Sequence, residues 1–114
     1  MSNSEIDLTT FEDLRQMSGA DFIDELVDTF LEDAPRLIAD LKSARLAVDA
    51  DTFRRAAHSL KSNGATFGAR RLSELAKELE MLGKENKLGD TGDRLEALER
   101  AYQAAAAELK GLRT

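Results

Sequence analysis

Between Ala20 and Val48 the apolar residues Ile23, Val27, Phe30, Ala34, Leu37, Leu41, Ala44 and Val48 recur at alternating steps of four and three. That spacing puts them on one face of an α-helix, whereas a strand would scatter them over both of its faces. A helix over this segment runs roughly 40 Å. The rhythm passes straight through Pro35, which removes the hydrogen bond to the carbonyl of Leu31. One long helix with a kink at Pro35 is favoured. Two helices meeting near Asp33 and Ala34 are the alternative, because Pro also suits a first helical position.

Partners of similar character follow. Asp51 to Phe67 reads as a helix, with Asp49 or Asp51 as its cap and Gly68 as its stop. From Ala69 to about Asn86, the residues Leu72, Leu75, Ala76, Leu79 and Leu82 share a face. Asp93 to Leu112 repeats the four-three rhythm with Leu95, Leu98, Tyr102, Ala105, Leu109 and Leu112. Leu88 to Gly92 reads as a polar loop. A short helix is expected from Thr10 to Met17, with Thr10 and Asp13 spaced as a capping pair and Ser18-Gly19 as its break. No segment alternates as a half-buried strand does. The expected fold is all-α: an up-down antiparallel four-helix bundle with a short extra N-terminal helix. That extra helix would cover one end through Leu8, Phe11 and Leu14. Phe22, Phe30, Phe53, Phe67 and Tyr102 belong to the core by spacing. A chain of 114 residues suits one domain spanning 1–114, with residues 1–7 expected to be flexible.

Composition removes much chemistry. Without cysteine there is no disulfide, thiolate zinc site or thiol nucleophile. With 22 acidic residues against 16 basic ones, a nucleic acid or an anionic membrane is not expected as the main partner. No apolar run approaches the ~20 residues of a membrane span, and the start lacks the layout of a signal peptide. A cytoplasmic location is the expectation, and the Met1 start favours a free-standing protein. Asp24 with Asp28, and Glu74 and Glu78 with Glu80, read as solvated helix faces rather than paired catalytic carboxylates. One imidazole cannot make a protein metal centre alone.

That imidazole, His58, is the informative residue. On a helical wheel Phe53, Ala57, Leu60, Gly64 and Phe67 fall within about 40° of a common direction, and His58 lies about 140° from it. His58 should therefore face solvent. Arg54, Lys61, Ser62 and Ala65 stand beside it at spacings of three, four and seven residues. Neutral imidazole is a good nucleophile near pH 7. Lys61, with Arg54, would offset the charge of an arriving phosphoryl group, and small neighbours such as Ser62 leave room for another protein. A solvent-exposed His on a charged helix face is the plain alternative. Gly64, on the core stripe, is expected to let a neighbouring helix come close.

The run Ala57-His58-Ser59-Leu60-Lys61-Ser62-Asn63-Gly64-Ala65-Thr66-Phe67-Gly68-Ala69 closely resembles the signature of histidine-containing phosphotransfer (HPt) domains. Phe30-Leu31-Glu32-Asp33-Ala34-Pro35 resembles the F-L-x-x-A-P segment that precedes it in many bacterial members. Leu72 to Glu80 is similar to the family's L-x-x-L-x-x-x-L-E stretch. The likeness covers roughly Phe11 to Leu82, and the His-centred run is its specific part.

The resemblance implies a bundle that carries a phosphoryl group between aspartates of receiver domains, those of a hybrid sensor kinase and of a response regulator. His58 would be the phosphorylated residue and Lys61 the phosphate-neighbouring lysine. Ser62 stands where the family often has Gly. Glu80 aligns with a position that orients the imidazole from its other nitrogen. The family needs no cofactor of its own; Mg²⁺ is expected on the partner receiver. The chain is expected to act as a monomer without ATP-dependent kinase activity. A pure adaptor bundle is the rival reading, and retention of both His58 and Lys61 argues against it. Lys77, Lys84, Lys87 and Arg94 form a loose basic set, and Phe11 with Leu14 is a candidate apolar docking patch.

Overall fold

The apolar rhythm is realised as five helices: α1 Leu8–Ser18, α2 Ala20–Ala47, α3 Ala50–Thr66, α4 Arg70–Lys84 and α5 Gly92–Leu112. The computed structural model describes residues 5–113, and among them there is no strand. The helices α2 to α5 form the up-down antiparallel bundle, with α3 packed most extensively on α4 and α2 closing against α5. The longest dimension, 41 Å, is close to the roughly 42 Å of a 28-residue helix such as α2.

α2 continues through Pro35 as a single helix. The Leu31 carbonyl that Pro35 frees is met by the Tyr102 hydroxyl of α5 at 3.4 Å. Ile38 lies in the core where the four-three rhythm pointed to Leu37, which is only partly buried. Val48 does not extend the stripe. It ends α2 in the left-handed region at φ 55°, a conformation that costs a β-branched residue, and its side chain is exposed.

α3 contains Thr52, Ser59, Asn63 and Gly64, all weak helix formers. Its stability comes from packing, since Phe53, Ala57 and Leu60 are fully buried, and burying a Phe or Leu side chain contributes about 2 kcal/mol. Asp49 caps it, accepting from the Thr52 amide at 3.1 Å. Gly68 turns the chain into α4 at φ 75°, and a Cβ there would lie 3.0 Å from the Asp7 carbonyl oxygen.

The N-terminal end differs from expectation. The flexible stretch expected at residues 1–7 falls partly on 1–4, which lie outside the described residues. Glu5 and Ile6, however, donate their amides to the Glu108 carboxylate at 2.6 and 2.8 Å, and Ile6 is buried. Asp7 donates its amide to the Gly68 carbonyl at 2.8 Å and caps α1, so the cap is Asp7 rather than Thr10. Phe11 is fully buried under α1 with the Arg15 guanidinium over its ring, so it is core and no part of a docking patch. Leu14 packs partly buried against the same core. Phe22 is the reverse case, 51% exposed where spacing suggested core. The segment after α4 is not simply polar: Leu88 and Thr91 are buried around a 3₁₀ turn, Leu88–Asp90. There the Thr91 hydroxyl donates to the Leu88 carbonyl and accepts from Arg45 Nε.

Two glycines set how closely α4 lies on α3. At Gly64 an added Cβ would meet α4 backbone atoms at an ordinary 3.4 Å. At Gly83 it would meet the Phe53 ring at 3.2 Å and the Arg54 Cα at 3.3 Å. The tighter approach is thus at Gly83, which periodicity did not single out. Gly64→Ala is expected to gain about 0.5–1 kcal/mol from helix propensity. Gly83→Ala is expected to lose about 1–2 kcal/mol, because a backbone atom of α3 must yield. Urea unfolding of the two variants, compared at equal slope, checks both signs.

Candidate functional site

The functional side chains sit where α3 and α4 lie closest. Their register is pinned on both sides of Glu80. The Ser73 hydroxyl of α4 donates to the Lys61 carbonyl of α3 at 2.9 Å, and Gly83 lets α4 settle against Phe53 and Arg54. Ser73 and Gly83 are ten residues apart, with Glu80 between them, so the carboxylate is held at a fixed height along α3.

His58 faces outward, its side chain 56% exposed, as the wheel requires. Glu80 is buried at 8% exposure and reaches up beneath it. Its Oε2 lies 2.8 Å from His58 Nδ1 and its Oε1 lies 2.7 Å from Lys61 Nζ. Both oxygens of one buried carboxylate are therefore engaged by two neighbours on the same face of α3. Burial alone would raise the pKa of Glu80, but the hydrogen bonds from Lys61 and then His58 outweigh it, and the carboxyl is held below its ordinary value. An ionised carboxylate only accepts, so Nδ1 carries the ring proton. In the neutral ring Nε2 keeps its lone pair, and it has no protein partner among the described residues.

Lys61 is partly buried, its stem lying along the bundle and its ammonium at Glu80. Ser62 and Ala65 are exposed and small, so nothing bulky from α3 stands over His58 at those positions. Arg54 is not brought to the imidazole. Its guanidinium turns back to Asp51 at 2.9 Å, which Arg55 also holds at 2.8 Å. The ordinary i, i+3 ion pair at the start of α3 has claimed it. The loose basic set divides as well. Lys77 and Lys84 line a cleft with Lys61 and Glu80, whereas Lys87 and Arg94 line a different one with Arg45 and Asp90.

Glu80 is the residue whose placement sequence reasoning left most open. It stood at the edge of the α4 stripe, and only the close approach of α3 and α4 decides that it is buried. The signal available was the three-residue spacing of His58 and Lys61, which offers two donors to one acceptor. Glu74 and Glu78 are exposed, while Asp24 and Asp28 are half-buried, with Asp28 bound to Arg113 at 2.7 and 2.8 Å. Among the described residues no group of three or more His, Cys, Asp or Glu is placed to hold a metal ion.

Chemically the arrangement is an exposed imidazole of fixed tautomer, an anion behind it and a cation beside it. A family model described as Hpt domain matches residues 25–108. The chain is 29% identical over 92 residues to the phosphorelay protein LuxU of Vibrio harveyi, covering 81% of each protein. Among solved structures it is similar to histidine-containing phosphotransfer protein B (HptB) of Pseudomonas aeruginosa PAO1. That similarity has a TM-score of 0.92 at 28% sequence identity, over 98% of this chain and 96% of the other.

Proposed function

The chain belongs to the Hpt domain family, and on that premise we propose that His58 is the residue on which it carries a phosphoryl group. The protein is a histidine phosphotransfer intermediate of a two-component phosphorelay. The observation that carries the assignment of His58 is the bond between Nδ1 and buried Glu80, which leaves Nε2 free and outward.

In the proposed step, Nε2 attacks the phosphorus of a phospho-aspartate on a receiver domain. The N–P bond forms as the P–O bond to the aspartyl carboxylate breaks, and the carboxylate leaves. As Nε2 gives up its pair the ring gains positive charge, and Glu80, 2.8 Å from Nδ1, offsets it without moving. Lys61 exchanges its contact with Glu80 for the phosphoryl oxygens. The reverse step loads the receiver of the next protein. Positioning is the chief contribution of this chain, since α3 holds the nucleophile rigidly. Mg²⁺ and most of the remaining charge stabilisation belong to the receiver.

On this reading the protein is a carrier and not an ATP-dependent kinase, working as one domain over 1–114 in the cytoplasm. Its partners are receiver domains of hybrid histidine kinases and response regulators. No helix among the described residues is long and apolar enough to cross a membrane. Incubation with phosphorylated receiver domains should produce label on this chain that is labile in acid and stable in base. Absence of label across the receivers of the source genome overturns the proposal in favour of a pure adaptor.

A further inference from the structure

α4 presents a stripe that the transfer step does not use. Lys77, Met81 and Lys84 stand four and three residues apart, so their side chains share one face of the helix. All three are exposed, Met81 to 53%. With Lys61, Glu80 and Glu85 they line a cleft of about 270 Å³. The stripe therefore passes beside Glu80, which bonds both His58 and Lys61, with Lys77 one turn before it and Lys84 one turn after it along α4.

Its lysines, like Lys87, Arg100 and Lys110, stand without an ion-pair partner among the described residues. The net charge of the chain is -6, and Arg36, Arg54, Arg55, Arg70 and Arg113 are each paired with a carboxylate of the same chain. Lys77 and Lys84 have no such partner among the described residues. Glu80 does not neutralise them, because both of its oxygens are taken by His58 and Lys61. Two unpaired cations thus flank an exposed methionine, a side chain that adapts to varied apolar surfaces. The cleft falls below the usual volume of a small-molecule site and has room for little more than one inserted side chain. Two lysines on an acidic protein are too few to hold a polyanion such as a nucleic acid.

The geometry points to Lys77, Met81 and Lys84 as the strip that selects and docks the receiver domain. Its occupant is the acidic rim around the partner's phosphorylation site, with one apolar partner side chain seated over Met81. This assignment rests on His58 being the phosphoryl carrier. It places recognition on α4, beside the nucleophile, rather than on Phe11 and Leu14 of α1. The lysines act on the rate of productive encounter, because rim charges steer association and their effect is screened by salt.

The test compares two donors. A phosphorylated receiver that labels the wild type must dock; phosphoramidate, which loses ammonia as the N–P bond to His58 forms, need not. In Lys77→Glu/Lys84→Glu, kcat/KM for transfer from the receiver should fall about tenfold or more. Added salt should slow the wild type and speed the charge-reversed variant, because it screens attraction in the one and repulsion in the other. Labelling by phosphoramidate should match wild type. Met81→Ala should lower the receiver rate without altering its salt dependence. An unchanged receiver rate in the double variant overturns the docking strip and leaves His58 as carrier. Equal losses with both donors also overturn it, by assigning the lysines to the reacting site. Wild type that takes label from neither donor removes the carrier reading itself.

Discussion

His58→Gln is expected to abolish phosphoryl acceptance and to leave the bundle folded. The loss should be complete, because no second imidazole and no thiol exist in the chain to replace the nucleophile. The fold should survive because His58 is exposed and contributes no core packing. The amide nitrogen of Gln can still donate to Glu80, so the buried carboxylate keeps a partner on that side. Surface changes of this kind usually stay within about 0.5 kcal/mol. Transfer from a phosphorylated receiver, read as acid-labile label, together with a urea unfolding curve, separates the two expectations. Label that persists in a folded His58→Gln protein would place the acceptor elsewhere.

The second large effect belongs to Glu80. Glu80→Ala removes the acceptor that fixes the ring tautomer and the anion that faces the ring as charge develops. Transfer is expected to slow by roughly 10²-fold, the scale seen when the partner that orients a reacting imidazole is lost. Glu80→Gln should lose less, since its carbonyl oxygen can still accept from Nδ1. The pair also fixes a pH dependence. The carboxyl of folded Glu80 is held below its ordinary value, so the stability it contributes is fully present above the ordinary glutamate range. That stability is lost as the pH falls through the depressed folded value. Unfolding free energies measured from neutral pH down to about pH 3 should decline less steeply in Glu80→Gln than in wild type. Equal acid sensitivity of the two proteins, or full transfer activity in Glu80→Ala, would refute the bridging role.

Much of this site was legible before any coordinates. The outward direction of His58 follows from the phase of Phe53, Ala57 and Leu60 alone, because a single helix fixes it. The pairing of Lys61 with the reacting face follows from the same phase. Glu80 could be brought near by likeness to a family but not buried by it. Its burial depends on Ser73 and Gly83, which set the α3–α4 register through contacts between helices. Arg54 failed for a local reason: Asp51, three residues back, competes for it, and a wheel shows neighbours without ranking them. Phe11 became core because the phase of the short α1 is poorly set and its tilt against the bundle is a tertiary matter, whereas Phe22 stands one residue off the buried stripe of α2 that begins at Ile23. The same holds for Thr91, a polar residue of a polar-looking loop that became buried once Arg45 of α2 reached its hydroxyl.

The amides of Glu5 and Ile6 are bound to Glu108, and the Arg15 guanidinium of α1 reaches the Leu112 carbonyl at 3.1 Å. The described chain therefore enters and leaves the bundle side by side, at the level of the turn marked by Gly68. A polypeptide with adjoining ends occupies no span in whatever surrounds it. The bundle can sit within a longer chain as a side loop, and neighbouring modules keep their spacing when it is inserted or removed. His58, ten residues before Gly68, projects from the flank, clear of the junction. One compact unit with a nucleophile on its side and both leads at one pole can be exchanged between architectures without redesign of its reacting face.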